Sequence, residues 1–170
     1  MSQQALLGVR LYVRRAVRPM SQHIHLAVHG AGGVEPVHAE PLGNNSFRVL
    51  YSPGLVLGIA AGDTIELLGD TGQFRVLTRG GNIAVQLFSS NPVSTFKTEL
   101  ETLVRNRLMG TCDGGIDRGL VFTIPVTSGF QSIEEVFENF VRTHPGVEWM
   151  YGNVYDPETN EPLGWWSKRA

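Results

Sequence analysis

The chain has 170 residues, 42% hydrophobic and 18% charged, a globular composition long enough for one sizeable core or two small ones and unlike a disordered chain. Its formal net charge of -2 hides an excess of acid beyond residue 34, where 10 basic residues meet 16 acidic ones, a field that repels nucleic-acid backbones; no apolar run nears the roughly 20 residues that cross a bilayer. The one cysteine, Cys112, excludes an internal disulfide and a Cys-rich zinc site, so a cytoplasmic protein without a cofactor is expected.

Residues 1–19 read as a basic arm. Up to residue 34 the chain carries Arg10, Arg14, Arg15 and Arg18 and no acid, and Val9 to Val13 alternates like a short strand. "MSQHIHL" at Met20 resembles a second start, which would make the arm optional. From His23 onward, short apolar runs alternate with turn clusters, and this spacing predicts a small antiparallel barrel or sandwich over residues 20–82. Asn44-Asn45 suits a tight hairpin, Pro53-Gly54 a type II turn, and Ala61-Gly62-Asp63 a turn into a strand at Thr64 to Leu68. Residues 40–67 therefore read as scaffold.

Residues 83–170 change character. Ile83 to Phe88 reads as a strand, and Phe96, Leu100, Leu103, Val104 and Leu108 recur at helical spacing. Gly110 to Gly119 reads as a connecting loop. Leu120, Phe122, Ile124 and Val126 form one face of a second strand, and Ser132 with Glu135 makes a capping box. Ile133, Val136, Phe137, Phe140 and Val141 form the apolar stripe of the helix that follows, and Val147 to Val154 returns as a strand. The expected fold class is α+β, a barrel-like half packed on a two-layer βαβαβ half with both helices on one face.

Candidate chemistry is sparse. His23 and His25 lie two apart on a strand and point to one side, as a metal-binding pair would, but His29 is too distant to join them. The loop "GTCDGGIDRG" gathers Cys112, Asp113, Asp117 and Arg118 without the spacing of a phosphate loop or an EF-hand. The carboxylate pairs Glu99/Glu101 and Glu134-Glu135 read as solvated helix faces, and no catalytic signature is found. By contrast, between residues 134 and 161 seven acids (Glu134, Glu135, Glu138, Glu148, Asp156, Glu158, Glu161) face one arginine, Arg142. All three tryptophans, Trp149, Trp165 and Trp166, lie in or just beyond this stretch, which suits a surface for a basic protein. The alternative is that the tryptophans close the core.

The order of motifs resembles a bacterial family known only as domain-of-unknown-function four-two-six-five. The similarity runs over about residues 23–155: "HAEPLGNNSFRVL", "SPGLVLGIAAGD" entering "TIELL", "FRVLTRGGN", and then an α/β tail. The resemblance implies a small bacterial cytosolic protein and supplies no established active residues. The function expected from the residues is a non-enzymatic protein-binding module, an immunity protein neutralising a cognate toxin through Glu134, Glu138, Asp156, Glu158, Glu161, Trp165 and Trp166. The alternative is a metal-dependent enzyme or small-ligand-binding protein. It would use His23 and His25 or the Cys112/Asp113 loop, with a pocket between the two halves.

Overall fold

The computed structural model describes residues 20–168, so the basic arm and its short strand lie outside the described residues. Strands β1 (Gln22–Val28), β2 (Gly33–Gly43), β3 (Ser46–Val49), β4 (Thr64–Leu68) and β5 (Gln73–Thr78) form an antiparallel meander in chain order. Alternation decides the faces: Ile24, Leu26, Val37, Ala39, Phe47, Val49 and Ile65 are buried, whereas His23, His25, His38 and Arg48 point outward. Asn44 and Asn45 both take positive φ, 50° and 60°, as a tight hairpin between right-twisted strands requires.

The expected barrel does not close. The edge strands β1 and β5 meet where Ala27 N donates to Gly72 O at 2.9 Å, but they are not neighbours in the sheet. After β3 the chain leaves the sheet, and residues 52–63 bury Val56 and Ile59 in the same core. The type II turn expected at Pro53-Gly54 is also absent, because Gly54 is not in the left-handed region such a turn requires. Instead the Glu35 carboxylate accepts the successive N–H groups of Gly54, Leu55 and Val56 at 2.7, 2.9 and 2.8 Å and sets their direction.

The second sheet contains β6 (Asn82–Ser89), β7 (Thr111–Ile116), β8 (Gly119–Pro125) and β9 (Val147–Tyr151), all antiparallel, in the order β7-β8-β6-β9. Helices α1 (Lys97–Leu108) and α2 (Phe130–Thr143) follow β6 and β8, so the unit is βαββαβ rather than the expected βαβαβ. The additional strand is β7, which occupies most of the stretch read as a loop. Of its two glycines Gly115 is the structural one: a Cβ there would stand 2.9 Å from the Gly119 oxygen and 2.7 Å from Leu120 Cδ2. The capping box is a second correction. Ser132 lies inside α2, whose N-cap is Gly129 with no side-chain cap.

Both apolar stripes pack on one face of this sheet. Phe96, Leu100, Val104 and Leu108 meet Ile133, Val136, Phe137 and Phe140 over Ile83, Val85, Leu87, Leu120, Phe122 and Ile124. Each such side chain contributes about 1.5–3 kcal/mol by leaving water. The opposite face of the sheet turns toward the first half. No described helix is long and apolar enough to cross a membrane.

Candidate functional site

Residues 52–63 lie between the sheets, and at one end the contact is sealed. Asp63 is fully buried; its carboxylate accepts Ala60 N at 3.0 Å, Gly80 N at 2.8 Å and the Arg79 guanidinium at 3.0 Å. Burial pushes the Asp63 pKa up, and the Gly80 N–H and the Arg79 charge pull against it without reversing the shift. Arg79 also donates to Gly58 O at 2.7 Å and stands 5.7 Å from the centre of the Trp165 ring. Across the seam Gly58 N donates to Gly152 O at 2.7 Å, and the Gln86 side-chain amide donates to the carbonyls of Pro53 and Val56. Asn153 holds Ala84 N and Asn82 O, while Trp165 Nε1 donates to Asn153 O at 2.9 Å.

At the other end the sheets part, leaving a cleft of ≈ 400 Å³. Tyr51 and Leu55 from the first half and Phe88 and Ile116 from the second line it, with 51%, 49%, 36% and 70% of their surfaces exposed. Glu35, Ser52 and Asp113 supply polar groups, and His38 joins Tyr51 among the lining residues. The hydroxyls are ordered into a relay. Ala61 N donates to Ser52 Oγ, Ser52 Oγ donates to Thr123 Oγ1 at 2.5 Å, and Thr123 donates to Asp113 Oδ2 at 2.5 Å. Asp113 also accepts Ser52 N at 2.7 Å and the Thr111 hydroxyl at 3.0 Å.

Of the residues singled out from sequence, only Asp113 reaches this cleft. Cys112 packs against the helical core on the other side of β7, and burial pushes its thiol up to about 11, which keeps it protonated near neutrality. His23 and His25 stand on the outer face of β1; His23 faces His38 across the ladder, with ring centroids 3.9 Å apart. Among the described residues no group of three or more His, Cys, Asp or Glu side chains is placed to hold a metal ion.

The acidic, aromatic stretch divides in two. Glu138 accepts Trp149 Nε1 at 3.1 Å and Glu134 accepts the Tyr151 hydroxyl at 3.3 Å, so these acids serve contacts between α2 and β9. The phenol is pushed above its ordinary value, first by burial and then by Glu134. Trp165 is buried and Trp166 packs against Phe130 with centroids 5.0 Å apart; the tail tryptophans thus close the core. Asp156, Glu158 and Glu161 lie on or near an exposed loop. Sequence reasoning missed Glu35, Tyr51, Ser52 and Phe88. No signal in the sequence marks them, because both their exposure and their proximity follow from the fold.

The site is thus a cleft between two sheets of an α+β protein. Residues 35–149, which span most of both sheets, match a family described as Domain of unknown function (DUF4265), and the chain belongs to that family. In fold it is similar to a solved chain described as a hypothetical protein from Neisseria gonorrhoeae. The TM-score is 0.61 and the identity 11%, over 78% of this chain and 94% of the other. No curated protein matches the chain.

Proposed function

We propose that the chain is a non-enzymatic protein-binding module, an immunity protein that neutralises a cognate toxin bearing a basic surface. The observation that carries this reading is the braced loop at residues 154–163. Tyr155 bridges to Pro162, Asp156 N donates to Glu161 O, Asn160 N to Asp156 O and Leu163 N to Val154 O, each bond at 2.8 Å. Asp156 Oδ1 accepts the N–H groups of Thr159 and Glu158, which hold its carboxyl below the ordinary value. The loop therefore presents Asp156, Glu158 and Glu161 beside the exposed Tyr155 in one backbone conformation, which lowers the ordering entropy that association costs. Their shared sign steers a cationic partner and makes the association rate fall with added salt.

The protonated thiol of Cys112 and the burial of Ser52, whose hydroxyl is engaged by Ala61 N and Thr123, favour binding over nucleophilic chemistry. The test is co-expression with the product of the adjacent open reading frame. Expected are growth arrest by that product alone, rescue by this chain, and a stoichiometric complex that the E158K/E161K double variant does not form. A neighbour that is harmless alone and does not co-purify overturns the reading.

A further inference from the structure

We propose that the cleft between the sheets binds a small molecule with an aromatic or otherwise apolar body and a cationic head. This site is distinct from the acidic loop and stands or falls without it. Its volume, ≈ 400 Å³, lies within the range of small-ligand sites. Tyr51, Leu55, Phe88 and Ile116 come from three separate stretches of chain yet gather around one opening, whereas isolated exposed apolar residues are scattered over ordinary surfaces. The walls therefore fit an apolar body.

The charge of the head follows from what lines the cleft. Glu35 and Asp113 contribute two carboxylates, while no lysine or arginine is present among the lining residues. Each carboxylate accepts three hydrogen bonds from its own chain: Glu35 from Gly54, Leu55 and Val56, Asp113 from Ser52, Thr111 and Thr123. A carboxylate has about four acceptor sites, so each keeps capacity for a ligand, and neither forms an ion pair among the described residues. The rings of Tyr51 and Phe88 also attract a cation through their faces. An anionic ligand would meet uncompensated negative charge, and a neutral hydrocarbon would leave both carboxylates without a counterion.

The test is an amide-shift titration of the full chain with phenethylammonium and with 3-phenylpropionate, which share a body and differ in the sign of the head. The amine is expected to shift the Gly54, Gly114 and Gly115 amides saturably, with an affinity at least roughly tenfold above that of the acid. A Cβ on Gly114 would meet no atom within 4 Å, and its φ is not in the left-handed region, so G114F blocks the cleft without straining the backbone. It should abolish the shifts while leaving the rest of the spectrum in place. No saturable shift up to about 20 mM, equal or tighter binding of the acid, or an unchanged titration in a folded G114F protein overturns the proposal.

Discussion

The two ends of the interface between the sheets are built from opposite materials. At the sealed end, polar groups meet polar groups: Asp63 meets Arg79 and two N–H groups, Asn153 bridges two backbone positions, and Gly62 lies against Gly80 with no room for a side chain. At the open end, Tyr51, Leu55, Phe88 and Ile116 remain in water around a space that the fold does not fill. The first arrangement repays its burial through partners within the chain and is a device of stability. The second leaves apolar surface exposed, which a structural role does not explain.

Substitutions at the two ends are therefore expected to fail differently. The largest loss is expected from G80A at the sealed end. A Cβ there would stand 2.3 Å from the Gly62 carbonyl carbon, a backbone atom that cannot rotate away. Urea unfolding should show a loss of about 3 kcal/mol, and the melting temperature should drop by about 10 °C. D63N comes next, at about 2 kcal/mol, because an amide must turn its NH₂ toward at least one of the donors that now share the carboxylate.

Its pH dependence has a definite sign. Since the folded pKa of Asp63 is raised above 3.8, the folded state holds the proton more tightly than the unfolded chain. Wild-type stability therefore falls as pH rises from the ordinary value through the folded one, and D63N lacks that fall. Urea midpoints at about pH 4 and about pH 7 should show the gap between the proteins narrowing at the higher pH.

E35Q tests the join between the two ends, because the carboxylate that lines the cleft also holds residues 54–56. A stability loss of about 1–2 kcal/mol is expected together with weaker binding of phenethylammonium, both measurable on the same sample. L55S should be the mildest in stability, within about 0.5 kcal/mol, while lowering affinity for the amine. A rim variant that unfolded the protein, or a seam variant that altered only binding, would erase the distinction.

Local pattern made much of the fold readable. The alternation in β1 and the stripes Phe96-Leu100-Val104-Leu108 and Ile133-Phe137-Phe140 each follow from a single element burying one face. β7 was hidden because "TCDGGI" is poor in residues that favour strands; Gly115 answers the close approach of Gly119 and Leu120, which comes about only when the hairpin forms. The cleft was hidden for a related reason. Glu35 acts on Gly54 to Val56, and Asp113 acts on Ser52 from 61 residues away, so no window of sequence contains both partners. The acids were countable in the chain, but that Glu134 and Glu138 reach across the surface to Tyr151 and Trp149 is a property of packing between α2 and β9.

The central claim is that residues 52–63, although neither helix nor strand, are the interior joint of the molecule. Native-state hydrogen exchange tests it most directly, through the amides of Gly58, Ala60, Ala61 and Gly62, which donate to Gly152 O, Asp63, Ser52 and Val49 O. They should exchange only by global unfolding, with the same opening free energy as the β6 amides at the centre of the second sheet. Exchange at these positions at rates typical of surface loops, while β6 stays protected, would contradict the claim.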